Sequence, residues 1–136
     1  MPISAKSDDK PAGQNIAIIA ETLYLVNLLL LPGIAFLILL GIYWKNPAAA
    51  PLARNHLRQS VVASLWIGGL LVIPVFMLLI FAGHDSLNAW MLGLTWIITC
   101  HGCFVVLGAV ALAKALAGQS WRYPLIGPKL SVDESF

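Results

Sequence analysis

Long apolar runs separated by short polar stretches dominate the pattern along the chain. Three runs lack charged side chains: residues 23–44, 61–83 and 87–113. Each reaches the length of about 20 residues that a helix needs to cross a hydrocarbon core of about 30 Å. The intervening polar stretches are residues 45–60 and the short link at residues 84–86. The pattern predicts an all-α integral membrane protein with three transmembrane helices.

The first apolar run is interrupted at Pro32 and Gly33. Taken from residue 16 to residue 44, it would form a straight helix of about 43 Å, which is longer than one crossing requires. Proline removes a backbone hydrogen bond, and glycine tolerates a tight reversal. Two arrangements remain open: a kinked single span, or a re-entrant hairpin that would give four helical segments.

Charged residues mark three regions of the chain. We expect residues 1–15 to form a polar flexible tail, residues 16–118 a single transmembrane helical domain, and residues 119–136 an interfacial and cytoplasmic C-terminal tail. Lysine and arginine are concentrated in the 45–60 loop and after residue 113. Because basic short loops stay in the cytoplasm, these regions and the C-terminus are predicted to lie on the cytoplasmic side of a bacterial inner membrane. The N-terminus lies outside with three spans and inside with a hairpin.

Composition excludes several classes of protein. Of the 136 residues, 60% are hydrophobic and only 10% are charged, whereas soluble domains have about 25% charged residues. A soluble enzyme, a disordered chain and a disulfide scaffold are therefore excluded. The net charge of +2 is too small to indicate a nucleic-acid partner. The expected partners are the lipid bilayer and other membrane proteins, including further copies of this chain.

Three polar side chains in or near the apolar runs are candidate functional residues: Glu21, Asn27 and His101. Polar and ionisable groups at membrane depth are costly, so each needs a partner or a function. In the hairpin arrangement Asn27 and His101 lie at a similar depth. A role for these side chains in transport of protons or small solutes is one possible function.

Cys100, His101 and Cys103 form a candidate metal site in the third run. Two cysteines at i, i+3 share a helix face and could bind a soft ion such as Cu(I) or Zn(II), but they supply only two of four ligands. The commoner interpretation of such cysteines is packing as small hydrophobic residues. The main prediction is that the protein has no cofactor, with a metal or haem as the alternative.

The loop before the second run carries a polar motif of Arg54, His56, Arg58 and Gln59. The two arginines, at i, i+4, share a face that can contact lipid phosphates, so one interpretation is an interfacial anchor. The alternative is that His56 and Gln59 form a hydrogen-bonded pair that locks this helix to the first segment.

A second interfacial motif follows Gly118, a predicted helix terminator. It consists of Trp121, Arg122, Tyr123, Pro124 and Gly127. Tryptophan and tyrosine are typical of the headgroup region, and arginine can pair with phosphate, which indicates an aromatic anchor. The alternative is a docking segment folded back under the helices.

These motifs, in order and spacing, produce a family resemblance. The run from Tyr24 to Gly33, the loop from Pro51 to Gln59, and the close from Tyr123 to Gly127 resemble small bacterial membrane proteins related to the Tic translocon component of chloroplasts. The resemblance implies an all-helical membrane protein of three or four helices with a cytoplasmic C-terminus. It implies no enzyme, and the cysteine motif at residues 100–103 is foreign to the pattern.

The sequence therefore predicts a non-enzymatic, multi-pass inner-membrane protein. It contains no acid pair, no nucleophile with its base and no phosphate-binding loop. Ala109, Ala113 and Ala117 form a small-xxx-small series that lets another helix approach closely. We expect the protein to act through helix association as an accessory, assembly or channel-forming subunit, with metal or haem handling and small-solute transport as alternatives.

Overall fold

The computed structural model describes residues 10–132 and contains four helices. These are α1 (Gln14–Leu29), α2 (Ile34–Lys45), α3 (Pro51–Ala82) and α4 (Leu87–Leu116), and the described residues include no strand. Residues 1–9, which make up most of the predicted N-terminal tail, lie outside the described residues, as do residues 133–136. The expectation of an all-α protein is confirmed.

Helices α1 and α2 form a helical hairpin. Ala20 of α1 and Leu39 of α2 belong to the same buried apolar cluster, which also contains Leu57 and Val61 of α3. Along one straight helix, positions 20 and 39 would be about 28 Å apart. The chain must therefore reverse between them, which a modest kink cannot achieve.

The reversal takes place at residues 30–33. The backbone N–H of Leu31 donates to Val26 O at 2.9 Å, and the N–H of Gly33 donates to Asn27 Oδ1 at 2.9 Å. Gly33 has a φ of 84°, a conformation that a side chain makes costly. The Asn27 side chain thus satisfies a backbone donor at the end of a helix that would otherwise have no partner.

Three transmembrane spans are not confirmed. Two helices, α3 with 32 residues and α4 with 30, are long and apolar enough to cross a membrane. Helices α1 and α2 have 16 and 12 residues, each fewer than the about 20 that a crossing needs. Helix α3 begins ten positions before the predicted run, because the polar stretch from Pro51 onward is helical as well.

The N-terminus of α1 packs at the C-terminal end of α4. Gln14 Nε2 donates to the carbonyl oxygens of Ala115 at 3.2 Å and Leu116 at 2.8 Å. These carbonyls belong to the last turn of α4, which has no intrahelical donors for them. Residues 10 and 119 therefore lie at the same end of the bundle, while the α3–α4 link at residues 83–86 lies at the other end.

Helix α4 presents one small-residue face to α1 and another outward. Gly108, Ala111 and Ala115 are buried, and a Cβ on Gly108 would lie only 2.6 Å from the Tyr24 ring. The predicted series of Ala109, Ala113 and Ala117 is exposed instead. Close packing within the chain thus uses positions adjacent to the predicted series.

The far halves of α3 and α4 extend beyond the α1–α2 hairpin as a two-helix arm with an apolar surface. The most exposed large side chains there include Val72, Phe81, Leu87 and Ile98, with 66 to 83% of their surface accessible. Inside the arm, Trp96 Nε1 donates to Leu70 O at 2.7 Å. Residue 74 is proline and has no N–H, so the indole replaces the intrahelical donor that Leu70 O lacks.

Candidate functional site

A cluster of buried polar side chains lies where α1, α3 and the residues after α4 meet. We call it the polar cluster; its members are Glu21 on α1, Asn55, His56 and Gln59 on α3, and Tyr123. None is more than 1% exposed. Buried polar groups are stable only when they are hydrogen-bonded, and here most of the bonds join different elements of the fold.

His56 and Glu21 form the centre of the polar cluster. His56 Nδ1 lies 2.7 Å from Glu21 Oε1, and His56 Nε2 lies 2.8 Å from the carbonyl oxygen of Gln119. A carbonyl only accepts, so Nε2 carries a hydrogen. The proton between Nδ1 and the carboxyl group belongs either to the imidazole or to Glu21. In both states the pair has no net charge, which lowers the cost of its burial.

Tyr123 supplies the second hydrogen bond to the Glu21 carboxyl group. Its hydroxyl donates to Glu21 Oε2 at 2.9 Å across 102 residues of sequence. Burial and the neighbouring Glu21 raise the pKa of Tyr123 far above its usual value of about 10. Tyr123 therefore stays protonated and remains a hydrogen-bond donor.

Amide side chains of α3 hold the backbone of residues 119–129, which we call the C-terminal segment. Gln59 Nε2 donates to Pro128 O at 2.8 Å, and Gln59 Oε1 accepts from the N–H of Tyr123 at 3.2 Å. Asn55 Oδ1 accepts from the N–H of Trp121 at 2.8 Å. The C-terminal segment is thus fastened along one face of α3 by contacts that replace regular secondary structure.

The arginines lie around the contacts between α3 and the C-terminal segment. Arg58 donates to Lys129 O at 3.3 Å, Arg122 Nε donates to Gly127 O at 3.0 Å, and Arg54 lines a surface cavity with Tyr43 and Trp44.

His56 and Gln59, two residues of the polar motif predicted before the second apolar run, bond to other elements rather than to each other. The His56 bond to Glu21 links α3 to α1, and the Gln59 bonds link α3 to the C-terminal segment.

The C-terminal motif folds back under the bundle. Tyr123 is fully buried, with its ring 5.5 Å from that of Tyr24 and 6.1 Å from that of Trp121, both in edge-on geometry. The N–H of Gly127 donates to Tyr123 O at 2.9 Å, closing a tight loop around Pro124. A Cβ on Gly127 would collide with the backbone of Tyr123, so this closure requires glycine.

Cys100, His101 and Cys103 are spread around α4. Cys100 is half-buried against the apolar core, Cys103 is exposed, and His101 lines a cavity together with Asn27. Within residues 10–132, no group of three or more His, Cys, Asp or Glu side chains is arranged to hold a metal ion.

The sequence motifs included Glu21, His56 and Tyr123 separately, but they did not predict that His56 and Tyr123 both bond to Glu21. A usable signal was present, since Glu21 is the only acidic residue between positions 10 and 84 and needs a buried donor. Asn55 was missed altogether. It lies in the same polar turn as His56, and the two side chains contact the same C-terminal segment.

Comparison with known proteins gives one family. The search of curated proteins and the search of solved structures return no match. A family model described as the magnetosome magnetite crystal formation protein family, MamF/MmsF, matches residues 13–130. The resemblance to Tic-related proteins is therefore wrong, since the motifs that carried it are short and do not identify a family. The chain belongs to the magnetosome magnetite crystal formation protein family.

Proposed function

We propose that this protein is a non-catalytic subunit of the magnetosome membrane that takes part in magnetite crystal formation through helix association. The family match over residues 13–130 carries the proposal. The two long apolar helices support membrane insertion. The polar cluster supports a structural role, because its fully buried Glu21, His56 and Tyr123 are out of reach of any substrate in this conformation.

We infer a membrane placement with two full crossings and one re-entrant hairpin. Helices α3 and α4 cross, while the α1–α2 hairpin enters from the end that carries both described termini and leaves at the same end. Its turn is apolar and exposed, with Leu30 at 72% and Ile34 at 58%, as insertion into hydrocarbon requires. Hydrogen bonds within the hairpin satisfy backbone donors at the turn, from the N–H of Leu31 to Val26 O and from the N–H of Gly33 to Asn27 Oδ1.

The distribution of basic residues supports an orientation. All described basic residues lie at the end with the termini: Lys10, Lys45, Arg54, Arg58, Lys114, Arg122 and Lys129. By the positive-inside rule this end faces the cytoplasm. The link with His84 and Asp85, whose side chains pair at 2.7 Å, then faces the interior of the magnetosome.

The outward alanine series supports association with other helices. Ala109, Ala113 and Ala117 are exposed on α4 and leave room for a helix of a second copy or of another membrane protein. The alternatives of metal handling and of solute transport stay predictions, since no contact in the fold favours either over helix association.

A complementation experiment tests the proposal. A magnetite-forming strain lacking this gene receives the wild-type gene, the double variant Ala109→Leu/Ala113→Leu, or the matched control Val110→Leu on the same helix. Electron microscopy measures crystal size, and cross-linking in isolated membranes measures association. We expect the wild type and the control to restore crystal size, and the double variant to insert normally but to lose both cross-links and rescue. Unchanged crystals in the strain lacking the gene would overturn the proposed function.

A further inference from the structure

A cavity of about 500 Å³ lies beside the turn of the α1–α2 hairpin, between that turn and helices α3 and α4. Three polar side chains from three helices line it: Asn27 on α1, Ser64 on α3 and His101 on α4. The rest of the lining is apolar and includes Leu28, Phe36 and Ile67. It is large enough to hold a ring-sized molecule and is lined like a small-molecule site.

The fold leaves hydrogen-bonding groups of all three polar side chains unused. Ser64 is only 7% exposed, and its Oγ has no hydrogen-bond partner in the described part of the chain. Asn27 Oδ1 accepts from Gly33, but the Asn27 amide nitrogen donates to no described residue. Neither ring nitrogen of His101 bonds to a residue within 10–132. Such groups are costly in an apolar environment, so they indicate a molecule that supplies the missing partners.

The lining restricts the chemistry of that molecule. No Lys, Arg, Asp or Glu lines the cavity, so a charged molecule would have no counter-charge. The unused donors include the Asn27 amide, the Ser64 hydroxyl and the N–H of His101, and they come from different helices. A molecule that fits these donors is a flat, largely apolar ring with acceptor oxygens on more than one side.

We propose that this cavity binds the ring of an uncharged quinone from the lipid phase, whose carbonyl oxygens accept hydrogen bonds from Asn27, Ser64 and His101. The apolar walls contact the faces of the ring. A quinone reaches the cavity through the bilayer, since the site adjoins the exposed, apolar turn of the hairpin. The inference requires only that this part of the protein is in the membrane, and it is independent of the role in magnetite formation.

Histidine ring NMR provides the test, because the chain has only three histidines. His56 is buried in the polar cluster and His84 lies on the distant link, so both are internal controls. The full chain in detergent micelles is titrated with decylubiquinone. We expect a saturable shift of the His101 ring signals and no shift of the other two. Decylbenzene, which has the same tail and no carbonyl, should give no saturable shift.

Two variants with matched controls complete the test. Gly68 lines the cavity, and a Cβ there meets no atom within 4 Å, so Gly68→Leu fills the cavity without backbone collision and should abolish the shift. Gly102→Leu, also in open space but outside the cavity, should preserve it. Ser64→Ala should weaken binding about fivefold, while Thr95→Val, whose hydroxyl bonds within its own helix, should not. Absence of a saturable shift, or an unchanged shift in Gly68→Leu, would overturn the proposal and leave a cavity filled by water or acyl chains.

Discussion

Glu21 connects three separate segments of this protein. Its two carboxyl oxygens bond to His56 on α3 and to Tyr123 in the C-terminal segment, across 35 and 102 residues of sequence. A buried pair of this kind adds little stability compared with a well-packed apolar replacement, but removal of one partner is strongly destabilising. We therefore interpret Glu21 as the residue that specifies which segments pack together.

Truncation of Glu21 should reveal this dependence. In Glu21→Ala, His56 Nδ1 and the Tyr123 hydroxyl lose their hydrogen-bond partner inside the protein, and the free energy of unfolding should fall by about 3 kcal/mol. Glu21→Gln keeps the shape and one acceptor oxygen and should cost less. Circular dichroism during unfolding by sodium dodecyl sulfate measures both. Asp85→Ala, which removes an exposed contact with His84, should change stability by less than about 1 kcal/mol. If Glu21→Ala had an effect as small as that of Asp85→Ala, the interpretation would be contradicted.

The raised pKa of Tyr123 predicts a pH dependence. In the unfolded chain its pKa is 10.0, and in the fold burial beside Glu21 raises it. A raised folded-state pKa gives stability that is fully present below pH 10 and is lost as the pH rises above it. The C-terminal segment should thus release progressively above about pH 10, measurable as cleavage within residues 119–129 by subtilisin, an alkaline protease, added at the elevated pH itself. Tyr123→Phe should remove the tyrosine-dependent part of this loss, whereas Tyr43→Phe, on the surface, should leave it intact.

Packing of α1 against α4 depends on small residues at a few positions. Gly108 allows the Tyr24 ring to pack directly on the α4 backbone, and the Tyr24 hydroxyl donates to Phe104 O at 3.3 Å. This contact holds the α1–α2 hairpin against the long helices. The same hairpin forms one wall of the cavity that contains His101.

Substitution of Gly108 should separate these helices. A Cβ at Gly108 would lie within 3 Å of both Tyr24 and Leu25, so Gly108→Ala should lower the free energy of unfolding by about 1–3 kcal/mol. Gly102→Ala, where a Cβ meets no atom within 4 Å, should be neutral or slightly stabilising because alanine favours the helix. Thermal unfolding in detergent compares the two variants. Similar stability in both would show that the close contact with Tyr24 is unimportant.

The bond from Trp96 to Leu70 should depend on Pro74. Trp96→Phe leaves Leu70 O without its donor and should cost about 0.6–1.7 kcal/mol, from the average to the largest value found for hydrogen bonds between membrane helices. In a Pro74→Ala background, the new N–H of residue 74 competes for the same carbonyl, and the loss should be smaller. A double-mutant cycle measures the coupling. Trp90→Phe, whose partner is the His84 carbonyl, should show no coupling to position 74.

The molecule as a whole has a charged end and an apolar arm. Both described termini, the described basic residues and the polar cluster are found at one end, and the α3–α4 arm extends from it with large apolar side chains exposed. This asymmetry agrees with a protein inserted from one side. In the proposed placement, the buried polar bonds lie near the membrane interface, and the arm lies in hydrocarbon.

Cysteine accessibility should distinguish the hairpin from a kinked span. The protein is produced in the inner membrane of a bacterium without magnetosomes, in a Cys100→Ser/Cys103→Ser background. Single cysteines at positions 10, 30 and 85 are then exposed to a membrane-impermeant maleimide in intact cells and after lysis. Asp85→Cys should react in intact cells, Lys10→Cys only after lysis, and Leu30→Cys in neither case because the turn lies in hydrocarbon. Reaction of Lys10→Cys in intact cells would show that the N-terminus is on the outside and would favour three spans.

Hydropathy and composition were sufficient to predict a helical membrane protein. Both properties depend only on neighbouring residues. The long apolar runs correspond to helices in the structure, Pro32 and Gly33 to the break between α1 and α2, and Gly118 to the end of α4. Hydropathy could not distinguish a kink from a reversal, since both place the same apolar residues in lipid. The presence of Ala20 and Leu39 in one buried apolar cluster decides for the hairpin.

Only tertiary structure brings the polar residues together. Glu21, His56 and Tyr123 lie in three separate segments, and their bonds depend on the angles and distances at which those segments pack. Asn27 and His101 likewise share a cavity only because α1 reverses next to α4. Local pattern therefore predicts the membrane environment, the break at Pro32 and Gly33 and the end of α4, whereas the partners of each polar group arise from packing between residues distant in sequence.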